Sequence, residues 1–172
     1  LANSREIREA LAFFSRERMS INELHLQLCR IAAPTFLVGK RADWMVAQFR
    51  GIGWDARIDR GGNVIALWDA SAKGPFVAIT AHLDTVLAPR QPEEIRLDSD
   101  GTFRGPGVAD NGAGLSALLA LARCLREHSI RGIPLQELML VANVGEEGEG
   151  NLSGMRFLCQ QSPFAGRIRS FV

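Results

Sequence analysis

Hydrophobic positions along the 172-residue chain change their period partway through. Over the first fifty residues they recur three and four apart, which predicts helices over 4–17, 20–32 and 39–50. Ser20, with Glu23 three positions on, has the spacing of a capping box and marks the expected start of the second helix. Pro34 closes that helix, and Gly51 and Gly53 close the third. Two short runs, WDARID and NVIALW, then flank Arg60, Gly61 and Gly62 and predict a hairpin. From residue 76 the apolar runs become continuous. FVAITA (76–81) and LMLVANV (138–144) read as strands buried on both faces. Residues 112–125 read as a helix with Leu115, Leu118, Leu119, Ala122 and Leu125 on one stripe, 152–160 as a further helix, and RIRSFV (167–172) as a last strand. Residues 87–105 read as loop and turn with at most one edge strand. Buried strands alternating with helices imply an α/β layer architecture whose sheet is parallel at its centre.

Composition removes several classes of function. Lys plus Arg number 20 against 19 Asp plus Glu, and the basic residues form no dense block, so nothing favours a nucleic acid or an anionic membrane as partner. No apolar run reads as a membrane span, and LANSREIREALAFF lacks the apolar core of a signal peptide. Cys29, Cys124 and Cys159 form no CxxC spacing and sit in helical apolar patterns, where reduced cysteine packs as a small hydrophobe. A reducing, cytoplasmic setting is expected.

Candidate chemistry follows from the architecture, because open α/β sheets bind ligands beyond the carboxyl ends of their strands. After FVAITA come His82 and Asp84; after the glycine-rich GPGVA comes Asp110; after LMLVANV come Glu146 and Glu147. Three separate segments thus bring imidazole and carboxylates toward one edge, a donor set that suits zinc. His82 and Asp84, two apart on an extended segment, face the same way, so the carboxylate can hold the second imidazole nitrogen. Adjacent Glu146 and Glu147 diverge, leaving one to ligate and one to handle a proton. Each has a plainer reading: Asp110 as a helix cap, a satisfied His82, a solvated glutamate turn that includes Glu149. Coincidence at one sheet edge favours the site. His25, in a helical pattern among leucines, and His128, near a helix C-terminus, are read as structural.

AHLDTV, GPGVADNGAG and VGEEGEG, in this order, resemble the three motif blocks of the di-zinc metallopeptidase family that includes aminoacylase, carboxypeptidase G, peptidase T and acetylornithine deacetylase. The intervals between the blocks suit that family, and Asn111 places the chain nearer the peptidase T-like branch. The resemblance implies a three-layer α/β sandwich with a mixed, mainly parallel central sheet. It implies two zinc ions, or cobalt or manganese in their place: His82 on one, Glu147 on the other, and Asp110 bridging both. Asp84 would orient His82, and Glu146 would be the general base toward a small peptide or N-acyl amino acid substrate.

Two of that family's five ligands, a carboxylate soon after RIRSFV and a late histidine, have no counterpart here, nor does its lid and dimerisation domain. Residues 1–172 therefore correspond to the N-terminal part of a catalytic domain, truncated relative to the family. The expectation for this chain alone is weak metal binding, little turnover, and an uncovered apolar edge prone to self-association, with a homo-oligomer among the outcomes. Against the hydrolase stands a second reading, an inactive fragment or degenerate relative with an association role. A third, the related di-zinc aminopeptidase type, is disfavoured by the long interval from His82 to Asp110.

Overall fold

Strand residues sort alternately onto two apolar faces. The computed structural model describes residues 4–128, 130 and 132–172. Its elements run α1 (Arg5–Arg16), α2 (Arg18–Arg30), α3 (Gly39–Ile52), β1 (Asp55–Ile58), β2 (Val64–Leu67), β3 (Phe76–His82), β4 (Arg96–Leu97), β5 (Phe103–Arg104), α4 (Gly114–Glu127), β6 (Leu138–Asn143), α5 (Ser153–Gln160) and β7 (Ile168–Phe171). Val64, Ala66, Leu140 and Ala142 join a core with Leu28 of α2, Met45 and Phe49 of α3, and Leu115 and Leu119 of α4. Ile65, Leu67, Met139 and Val141 point the other way, into a second core with Leu158 of α5 and Phe164. The period-two geometry of strands makes this division, and it explains why these strands read as unbroken apolar runs. The result is the expected three-layer α/β sandwich.

The sheet order is β1-β2-β6-β3-β7. β3 runs parallel to both β6 and β7, while β1 and β2 form an antiparallel hairpin whose β2 pairs with β6. The sheet is therefore mixed with a parallel centre, as the pattern predicts. β4 and β5 form a separate two-stranded antiparallel ladder where at most one edge strand is expected.

Local departures have physical reasons. α2 begins at Arg18, because the chain scarcely leaves the helix at Glu17, so Ser20 is interior and caps nothing. Its hydroxyl bonds back to the Glu17 carbonyl (3.0 Å) and carboxylate (3.1 Å), the fallback of a serine inside a helix. α3 runs through Gly51 and ends where Gly53 adopts φ +98°. Cys29 and Cys124 are buried as expected, but Cys159 is exposed, one position round from the buried Leu158 of α5. The stretch Val108–Glu127 does have the length and apolarity of a membrane span, with a mean hydropathy of 1.2, contrary to the reading above. Its backbone leaves helical geometry at Asp110 and Asn111, and Leu115, Leu118, Leu119, Ala122 and Leu125 bury the predicted stripe against the sheet.

Candidate active site

The loops that leave β3 and β6 are bound to each other by one carboxylate. The two strands run parallel with His82 opposite Asn143, and the Leu83 amide donates to the Asn143 carbonyl at 2.7 Å, so both chains exit the same edge together. Asp84 is fully buried there. Its Oδ1 accepts the Glu146 amide and its Oδ2 the Glu147 amide, each at 3.1 Å, and Oδ2 also accepts the Thr35 hydroxyl at 3.1 Å. A buried carboxylate thus fixes the backbone from which both glutamates project. Gly145, just before them, has φ +60°, and a Cβ there would overlap the Ser153 hydroxyl, so the turn demands glycine.

His82 is oriented by the same loop. Its Nδ1 lies 2.8 Å from the Asp84 main-chain carbonyl, which can only accept, so Nδ1 carries a hydrogen. The Asp84 carboxylate lies farther away, at 3.8 Å, so the imidazole is held by the carbonyl of Asp84 where the sequence points to its side chain. The Nε2 edge faces Asp110 Oδ1 at 2.9 Å, with Glu146 Oε2 at 3.9 Å. A ring nitrogen and a carboxylate oxygen that close need a positive centre between them, a proton or a metal ion. Asp110 does not cap α4; Asn111 Oδ1 instead accepts the Gly114 amide at 3.0 Å, leaving the Asp110 carboxylate free toward His82.

His82, Asp110 and Glu147 each offer a ligand atom, and these atoms lie within 4.8 Å of one another. Zinc bonds of 2.0–2.2 Å place neighbouring ligand atoms of one ion about 3–3.5 Å apart, so these spacings are of the order that metal ligands require and small side-chain adjustments would admit an ion. The electrostatics agree. Partial burial, then the charges of Asp110 and Glu146, push the Glu147 carboxyl above the usual range, a repulsion that a cation would relieve. The residues present fit a divalent metal, with one ring nitrogen and two carboxylates as donors.

Three contributors escape sequence reading. Arg41 is 1% exposed; it donates to the Leu83 carbonyl at 2.7 Å and to the Ile31 carbonyl at 2.6 and 3.0 Å, bracing the strand end between His82 and Asp84. Burial lowers its pKa, and the charges of Cys29 and Asp84 oppose that shift. In the sequence Arg41 is simply a cation early in an amphipathic helix. Thr35, after Pro34, carries no signal in the sequence, and His25 is read there as structural. Glu149 is exposed, and His128 stands edge-on to Phe13 at 5.9 Å at the end of α4.

Imidazole and carboxylates thus gather beyond the parallel strands of a three-layer sandwich. The chain belongs to Peptidase family M28, whose sequence profile matches residues 63–172. Over 86 residues it is 33% identical to a Thermococcus kodakarensis protein named for LysW-lysine and LysW-ornithine hydrolysis, covering 49% of this chain and 23% of that one. Human carnosine dipeptidase 1 superposes with a TM-score of 0.73 at 12% identity, over 95% of this chain and 40% of its own. A Legionella pneumophila aminopeptidase gives 0.66 at 17% identity, over 95% and 44%. A Staphylococcus aureus tripeptidase gives 0.55 at 22% identity, over 77% and 40%. At these identities the three structures establish the fold alone, and the chain spans under half the length of each relative. A dipeptidase, a tripeptidase and an aminopeptidase share it, so the interval that set the aminopeptidase reading third does not discriminate at the level of fold.

Proposed function

We propose that the complete protein is a zinc-dependent exopeptidase or dipeptidase acting on small peptides or N-acyl amino acids. The observation that carries this reading is the convergence of His82, Asp110 and Glu147 ligand atoms within 4.8 Å, with Glu146 beside them. His82 and Glu147 would hold one zinc each, with Asp110 bridging, and ligands from outside these residues would complete both sites. Bound zinc would supply a lowered water pKa and polarisation of the scissile carbonyl. Glu146 would accept a proton from the attacking water and return it to the leaving nitrogen. Glu146 suits this task because its amide is pinned by Asp84 while its side chain remains half-exposed and reaches toward the His82 Nε2 edge. Asp84 and Arg41 would act without touching substrate, the first setting where both glutamates start and the second where His82 starts.

The test is metal analysis of the full-length protein joined to a hydrolysis screen. About two equivalents of zinc, with turnover of a dipeptide or an N-acyl amino acid abolished by chelation, are expected. Turnover that survives complete metal removal would refute the reading.

A further inference from the structure

The Asp110 carboxylate is carried by a turn closed by its own backbone bond from Gly112 to Gly107. Asp110 lies between β5 and α4, its side chain 75% exposed and in contact with His82. The turn is gripped from behind by α2. His25 Nε2 lies 2.7 Å from the Val108 carbonyl, and Cys29 Sγ, one helical turn later on the same face, lies 3.8 Å from the Gly107 carbonyl. Because a carbonyl only accepts, Nε2 carries the hydrogen. The ring also stacks on Phe103 of β5, with centroids 4.2 Å apart and planes tilted by 33°. Gly112 closes the turn by donating to Gly107 at 2.9 Å, and a Cβ at Gly112 would strike Cys29 Sγ and come within 3.2 Å of His25 Nε2. The helix face and the turn are therefore built against each other. Beside His25 opens a cavity of about 310 Å³ lined by Phe14, Ile21 and Ala117, so close packing does not confine the ring on that side. Its hydrogen bond and the Phe103 stack do.

We propose that His25 is a positioning residue for the metal site: its Nε2–H helps hold the 107–112 turn so that Asp110 meets His82, and metal affinity depends on that donor. This rests on the reading of His82, Asp110 and Glu147 as metal ligands. The geometry separates the donor from the ring. Phenylalanine keeps the stack and loses the donor, whereas glutamine places an N–H near the position of Nε2.

The experiment is cobalt loading of the full-length protein, followed by visible absorption and by chelator competition, with folding checked by circular dichroism. His25→Phe should bind cobalt about tenfold more weakly, the effect typical of removing an outer-shell partner, and change the cobalt spectrum. His25→Gln should restore both toward the wild type. Equal affinity and an unchanged spectrum in folded His25→Phe would overturn the proposal while leaving the ligand assignment intact. A His25→Gln variant as weak as His25→Phe would also overturn it, since the ring and not the donor would then matter. Absence of cobalt binding in the wild type, or its persistence in His82→Ala, would remove the ligand assignment and the proposal together.

Discussion

Replacing Asp84 by asparagine tests the physical core of the site. The carboxylate offers two oxygens to three donors: Oδ1 to the Glu146 amide, Oδ2 to the Glu147 amide and the Thr35 hydroxyl. An asparagine amide has one accepting oxygen. Placed at Oδ2, that oxygen keeps Thr35 and Glu147 but turns an NH2 onto the Glu146 N–H; placed at Oδ1, it loses the other two. One bond to a charged acceptor is thus replaced by two opposed donors in a fully buried position. Hydrogen bonds to charged groups contribute about 1.5–3 kcal/mol, and a buried donor left unpaired costs a similar amount that overlaps the first. The buried Arg41 also loses the nearby negative charge that opposes its desolvation. A destabilisation of about 2–4 kcal/mol is expected, which for a chain of this size lowers Tm by roughly 4–16 °C. Urea unfolding of the metal-free protein measures it free of any metal contribution. Asp84→Asn within about 0.5 kcal/mol of wild type would show that the carboxylate does not hold the glutamate turn. The Arg41→Met and double variants complete a cycle, in which strict additivity would refute coupling between the two buried charges.

Glu146→Gln should lower turnover by at least about 100-fold while zinc content stays at the wild-type level, because only the proton acceptor is lost; undiminished turnover would reassign the base. In the native protein, iodoacetamide at mildly alkaline pH should label Cys159 and spare Cys29, which is buried with its thiol pushed up to about 11; peptide mass spectrometry reads the pattern, and rapid Cys29 labelling would contradict its burial. Burial holds the His25 imidazole below its ordinary value, against the pull of the Val108 carbonyl. The unfolded state therefore binds the proton more readily, and this residue's contribution to stability is present above the ordinary histidine pKa and lost as pH falls through it. His25→Gln should flatten the fall in urea midpoint between about pH 7 and 5; an unchanged slope would assign that fall to other groups.

The layers were legible in the sequence because two-sided burial leaves an unbroken apolar run, and both 76–81 and 138–144 have one. The candidate site was legible for a related reason: chemistry in such folds gathers after the strands, where His82, Asp84, Glu146 and Glu147 stand. What escaped is contact made through the main chain. Nothing in the letters shows that Asp84 holds His82 by its carbonyl and two amides by its carboxylate. Arg41 binds only carbonyls, which every sequence offers at every position, so no partner residue betrays it. His25 was hidden the same way, its partner being the Val108 carbonyl, 83 positions away. The Ser20 capping box failed because a spacing motif specifies a helix start only if the chain leaves the preceding helix, and at Glu17 it scarcely does.

The Asp84 clamp makes the site a gauge of how two neighbouring strands are aligned. With His82 level with Asn143, the carboxylate meets both amides; sliding β3 by one residue would shift it about 3.3 Å and turn its side chains over. An inserted or deleted residue between 76 and 84 would therefore pull the carboxylate off both amides even where the sheet re-forms.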